Sequence, residues 1–161
     1  MYKFNEQNQI GKEGEKLLDS WLKSTYTIDN VSNLKKYQKS GIDRLLTNKK
    51  GEIISVEYKF DKTAQRTGNL FFETVSIDKN NNPGWGFSSQ ADYWIFLIPT
   101  NQIFIFKPSK LRLFAWQNYN DLQEKKIKNR GYFTLGYPLK INLIKHEAHC
   151  ITNLQSLPPL L

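Results

Sequence analysis

Apolar positions recur every three to four residues in two stretches of the chain. Through most of the remainder they alternate or run unbroken, which predicts an α/β fold. Residues 5–23 are expected as the first helix, with Ile10, Gly14, Leu17, Leu18, Trp21 and Leu22 on one stripe and Glu13 and Glu15 at its two borders. A short strand over 26–32 and a polar loop over 33–40 follow. Residues 41–61, GIDRLLTNKKGEIISVEYKFD, read as a β-hairpin. Its second arm sets Ile54, Val56, Tyr58 and Phe60 on one face and Ser55, Glu57 and Lys59 on the other. After a polar loop over 61–68, residues 69–77 predict a third strand that carries Glu73 among apolar neighbours, and 78–87 read as a loop around Trp85. Ser88 and Ser89 are placed to cap a helical turn through Ala91. Residues 92–99 and 102–107 lack alternation, as central strands covered on both faces do. Residues 108–130 predict a second long helix, with Pro108 in its first turn and Leu111, Phe114, Ala115, Tyr119, Leu122 and Ile127 on an imperfect stripe. Residues 132–135 and 139–144 are expected as strands, and the tail 156–161, SLPPLL, as an extended arm or frayed end.

Turn chemistry sets the hairpin register. A three-residue connection over 49–51, with Gly51 at positive φ in a type I turn plus bulge, pairs Asn48 with Glu52. It places Asp43 opposite Glu57, roughly 5 Å apart at Cβ, with Lys59 on the same face. A two-residue loop at Lys49 and Lys50 slips the register by one and sends Asp43 to the other face.

At 161 residues the chain is expected to form one domain, 1–161, with 131–161 as a C-terminal extension. Its content of 39% hydrophobic and 24% charged residues excludes a disordered chain. The net charge of +8 points to a polyanionic partner, although excess lysine also serves solubility alone. The single cysteine, Cys150, excludes an intramolecular disulfide and suits a reducing compartment. The first residues lack the apolar run of a signal peptide, and no segment approaches the ~20 apolar residues of a membrane span, so a cytoplasmic protein is expected.

Two carboxylates and an ammonium at the rim of a sheet are what a protein needs to hold a divalent metal against a phosphodiester, and Asp43, Glu57 and Lys59 offer that set. Lys35, Lys36 and Lys39 before the hairpin, and Lys62 and Arg66 after it, are candidate phosphate contacts. Between Lys107 and Lys145 there are nine lysines and arginines against Asp121 and Glu124. Within that region Lys125, Lys126, Lys128 and Arg130 read either as cations favoured at a helix C-terminus or as a face that tracks phosphates. Glu73 either faces solvent at a sheet edge or joins the acidic site, and the edge reading is preferred. For Trp85, a plug at the mouth of the core is preferred to a base-stacking role. His146, Glu147 and His149, with Cys150 beside them, do not have the histidine spacing of a zinc helix. There is no phosphate-binding Gly-rich loop, nucleophile elbow or internal repeat.

Taken in order, a helix with a border glutamate, a hairpin bearing GID and VEYK, a third strand, a helical turn and further strands resemble the PD-(D/E)XK nuclease superfamily over residues 10–106. That superfamily includes restriction-type endonucleases and archaeal-type Holliday junction resolvases. The resemblance implies a restriction-endonuclease-like core, with a central mixed β-sheet flanked by helices in αβββαβ order. It implies a DNA endonuclease dependent on Mg²⁺ (or Mn²⁺), with DNA as partner and no small-molecule cofactor; since one site cuts one strand, a homodimer is expected for duplex cleavage or junction resolution. Asp43, Glu57, the Tyr58 carbonyl and Glu15, with Glu13 as fallback, would hold the metal. Lys59 would orient the attacking water or offset charge on the phosphate. Ile42 stands where the motif has proline. The alternatives are a non-catalytic nucleic-acid-binding module on the same fold and a protein-interaction domain whose charge serves solubility.

Overall fold

The computed structural model describes the backbone of residues 4–161 and the side chains from residue 11 on, so Ile10 of the expected stripe lies outside the described side chains. The elements, in chain order, are α1 (Phe4–Leu22), β1 (Thr27–Asn30), α2 (Lys35–Lys39), β2 (Arg44–Thr47), β3 (Ile53–Phe60), α3 (Ala64–Thr67), β4 (Asn69–Ile77), β5 (Asn82–Pro83), α4 (Trp85–Ser88), β6 (Tyr93–Leu97), β7 (Gln102–Phe106), α5 (Pro108–Gln117), β8 (Lys125–Lys128), β9 (Phe133–Lys140), α6 (Ile141–Ile144) and β10 (Cys150–Asn153). The fold is α/β, with a mixed six-stranded sheet ordered β1-β2-β3-β6-β7-β10. Only the β3–β6 pair in it is parallel.

Both faces of this sheet are covered, which explains the unbroken apolar runs of β6 and β7. Ile95, Leu97, Ile103 and Ile105 pack with Val56 and Tyr58 under Leu18, Trp21 and Leu22 of α1. Trp94, Phe96, Phe104 and Phe106 face the other way, against Leu111 and Ala115 of α5 and Leu70, Phe72 and Leu139. Those last three belong to a second, four-stranded sheet ordered β5-β4-β9-β8. Here the expectation for the strand at 69–77 is corrected: β4 leaves the central sheet and pairs with β9, while β1, β2, β3 and β6 stand side by side in that sheet.

Several local expectations are also corrected. The loops expected over 33–40 and 61–68 each contain a helical turn, α2 and α3. The second long helix stops at Gln117, where Asn118 turns its side-chain amide back onto the Phe114 carbonyl. The Asn-Tyr-Asn-Asp run that follows competes poorly for helix, and Lys125–Lys128 pairs as a strand with β9. Residues 131–161 are no appendage: they supply β9, an inner strand of the second sheet, and β10, an edge of the first. The tail is docked rather than frayed. Trp21 Nε1 donates to the Ser156 carbonyl at 2.7 Å, and the Tyr26 hydroxyl donates to Pro159 O at 2.9 Å while accepting from the Leu161 N–H at 2.8 Å. Among the described residues no helix is long and apolar enough to cross a membrane.

Candidate metal centre at the hairpin

The hairpin adopts the three-residue connection. Gly51 takes φ +82°, its N–H reaches Asn48 O at 3.0 Å, and the Asn48 N–H reaches Glu52 O at 3.0 Å. The ladder runs from Thr47–Ile53 to Arg44–Val56, so the next position sets Asp43 across from Glu57. There the ladder breaks. The Asp43 N–H donates to Val56 O at 2.9 Å, and Asp43 Oδ2 accepts the Tyr58 N–H at 2.8 Å. The break lays the Asp43 carboxylate against the β3 backbone at Tyr58, between Glu57 and Lys59 in sequence.

Glu57 and Lys59 pair in register with Trp94 and Phe96, and so lie on the face covered by the second sheet. Glu57 is only 5% exposed. Its Oε1 accepts a hydrogen bond from Lys59 Nζ, whereas its Oε2 has no partner. Gly41, at φ +60°, makes room for that oxygen: a Cβ there would stand 3.2 Å from Glu57 Oε2 and 3.1 Å from Ser89. Burial pushes the Asp43 carboxyl above its usual range. The Tyr58 N–H and the Lys59 charge oppose the shift, and the Glu57 and Glu15 charges add to it. The Asp43 carboxylate thus lies within electrostatic reach of the Glu57–Lys59 pair, with Glu57 buried and Asp43 and Lys59 half-buried.

Glu15, not Glu13, is the border residue turned toward the sheet, for Glu13 is exposed. Its Oε2 accepts from Arg44 Nη2 at 2.8 Å. Arg44 is 2% exposed and also binds Asp19 at 3.0 Å, Asn30 Oδ1 at 3.0 Å and the Asp43 carbonyl at 3.0 Å. Burial opposes the Arg44 charge, but the hydrogen bonds and charges of Asp19 and Glu15 outweigh it and raise its pKa. Tyr58 donates its hydroxyl to Asp19 at 3.1 Å, and burial raises its pKa strongly, with the Asp19 charge adding to the shift. Glu15 thus reaches the site through Arg44, which grips the backbone of Asp43.

Glu73, Ser89 and Arg112 also bear on the centre. The edge reading of Glu73 is overturned: β4 is an inner strand, flanked by β5 and β9. The Glu73 carboxyl is raised by burial, lowered by the Lys59 charge and by the Trp85 N–H, and raised by Glu57. Ser89 is buried and ties the hairpin to the core, its hydroxyl donating to Gly41 O at 3.3 Å and accepting from Trp94 Nε1 at 2.9 Å. Arg112 of α5 donates to Gly86 O at 2.7 Å and to Ser89 O, and burial lowers its pKa against the Glu57 charge. In the sequence Arg112 carries no pattern beyond its polarity, Ser89 reads as a helix cap, and Glu73 as a carboxylate among apolar neighbours.

All nine cations expected to meet phosphate are exposed. Lys35, Lys36 and Lys39 sit on α2, which runs directly into Gly41, and Lys62 and Arg66 lie at α3, just past the end of β3. Lys125, Lys126 and Lys128 line β8, at the open edge of the second sheet, and Arg130 follows in the turn to β9. Among the described residues none of the nine makes an ion pair. His149 packs on the Tyr93 ring at 5.1 Å. Among the described residues no three His, Cys, Asp or Glu side chains are grouped closely enough to bind a metal unaided. No family model, curated protein or solved structure matches the chain.

Proposed function

We propose that the protein is a metal-dependent DNA endonuclease on a restriction-endonuclease-like core, with Asp43, Glu57 and Lys59 as its working residues. The observation that carries the reading is Glu57 Oε2, a carboxylate oxygen withdrawn from water and left without a hydrogen-bond partner. Such an atom costs about 1–3 kcal/mol, and more for a charged group. A hard cation offsets that cost. Asp43 and Glu57, with the Tyr58 carbonyl, are oxygen donors of the type Mg²⁺ or Mn²⁺ prefers, and so small a protein set leaves positions for water and phosphate. When bound, the ion supplies Lewis acidity at a phosphate oxygen and acidifies a water.

The chain's own groups do the rest. Asp43, held by the Tyr58 N–H, presents a fixed carboxylate. Lys59 balances negative charge as it builds on the phosphate. Glu15 holds Arg44 on the Asp43 carbonyl and so positions Asp43 from α1.

DNA as the substrate is supported by charge and by strand order. Glu73 of β4 and Lys125 of β8 both pair with Gly136 of β9. At ~4.8 Å per strand, the basic β8 edge therefore starts about 10 Å from a strand that lines the centre. One such centre cuts one strand, so duplex cleavage or junction resolution calls for a two-fold dimer.

The test is incubation of supercoiled plasmid, or a four-way junction, with the protein and Mg²⁺ or Mn²⁺. Nicking that disappears in EDTA and in Lys59→Ala is the expected result. Salt-sensitive binding with no cleavage of either substrate would assign a non-catalytic binding module instead.

A further inference from the structure

The loop around Trp85 is pressed onto β4 at Glu73. Gly84 and Gly86 flank the tryptophan, and a Cβ on either would stand within 2.6 Å of the Glu73 carbonyl oxygen. Gly84 N donates to Thr74 O at 2.8 Å, and Trp85 N donates to Glu73 Oε1 at 3.3 Å. The indole is held edge-to-face by Trp94 at 4.9 Å, Phe72 at 5.7 Å and Phe96 at 5.8 Å. Above its ring, 4.5 Å from the centroid, lies Lys59 Nζ.

We propose that Trp85, anchored by Glu73, is a positioning residue for Lys59: its ring holds the ammonium in place when Glu57 turns to a cation. The inference rests on the nuclease reading above. Lysine is a point charge on a flexible four-carbon stem, and without a fixed partner it points in no single direction. Its hydrogen bond to Glu57 is with a residue that the metal also needs, and two cations on one carboxylate repel. A neutral aromatic face attracts the ammonium without taking a ligand from the metal. Glu73 contributes twice. It fixes the backbone that carries the ring, and its carboxylate lies within electrostatic reach of both Lys59 and Glu57. A tryptophan that only filled the core would not need a cation over its face.

The decisive experiment compares Trp85→Leu with Trp85→Phe, which restores an aromatic face, in the full chain. Two readouts are used: labelling of Lys59 by an amine-reactive reagent, followed by mass spectrometry with and without Mn²⁺, and single-turnover nicking under saturating protein. Trp85→Leu is expected to raise Lys59 labelling in Mn²⁺ and to slow nicking about tenfold, while DNA and Mn²⁺ affinities stay within about twofold. Trp85→Phe is expected to recover most of both. Where Trp85→Leu does not fold, Glu73→Ala releases the anchor while keeping the ring, and the same rise in labelling is expected. Unchanged Lys59 labelling in the folded variants overturns the inference. Labelling judges the positioning even if the wild-type protein cuts nothing, and that second outcome would sink the nuclease reading separately.

Discussion

The backbone N–H of Tyr58 donates to Oδ2 of Asp43 at 2.8 Å, so the aspartate closes the hairpin ladder with its side chain where its main chain has left it. Asparagine offers the same acceptor without the charge. Asp43→Asn is therefore expected to keep the fold while nicking falls roughly a hundredfold or more, the scale of several kcal/mol of Lewis-acid stabilisation. Gel assays on plasmid, with thermal melting as the control for folding, check both halves.

Arg44 is the buried cation beneath the site, between Asp19, Glu15 and the Asp43 carbonyl. Removing one member of a buried ion pair costs ~3–5 kcal/mol. The partner acids keep 25% and 33% of their side-chain exposure, so the lower end applies. Arg44→Met is expected to lose about 3 kcal/mol in urea denaturation. Glu15→Gln keeps an acceptor for Arg44 and should slow nicking less than Asp43→Asn does. Equal losses would instead place Glu15 directly on the metal.

Glu73 gives a pH signature. Its native carboxyl is raised above 4.5, chiefly by burial, so the folded state binds its proton more tightly than the unfolded state. Its contribution to stability is fully present below 4.5 and is lost as pH rises through the native pKa. Glu73→Gln should match the wild type in acid and melt higher at neutral pH, each 1 kcal/mol appearing as ~2–4 °C at this chain length. Parallel melting curves of the two proteins across pH 4 to 8 would contradict the burial of this carboxylate.

The basic β8 edge predicts a salt effect. Neutralising Lys125, Lys126, Lys128 and Arg130 together should weaken binding to a duplex regardless of its sequence. It should also flatten the slope of log K against log salt by about 0.9 for every phosphate that these cations neutralise. Fluorescence anisotropy at several salt concentrations, in EDTA so that no cutting intervenes, reads the slope. An unchanged slope would mean that these cations guard an open edge strand against aggregation instead.

The register of the hairpin was legible in the sequence because one local feature, Gly51 at positive φ, sets it, and local chemistry survives the absence of tertiary information. Arg44 left a trace that a reading for chemistry overlooks: it shares its parity with Leu46, the inward face, and a charge on an inward face needs partners. Glu73 left none. Its place beside Lys59 depends on β4 pairing with β9, some sixty residues later in the chain, and no periodicity within β4 encodes that. The segment around Lys125 misleads for a related reason. Lysine and glutamate favour helix weakly, and pairing with β9 outweighs that propensity. The two-sided burial of β6 and β7 was readable from their composition, whereas the second sheet that provides one of those covers was not.

The account stands on Glu57 Oε2 being a metal ligand, and Mn²⁺ binding to the protein alone tests that most directly. Titration of the wild-type chain, followed by electron paramagnetic resonance, should show saturable binding of one or two ions, with binding abolished or weakened at least about tenfold in Glu57→Gln and Asp43→Asn. Binding of equal strength in the wild type and in a folded Glu57→Gln, or no binding by the wild type in the millimolar range, would contradict it.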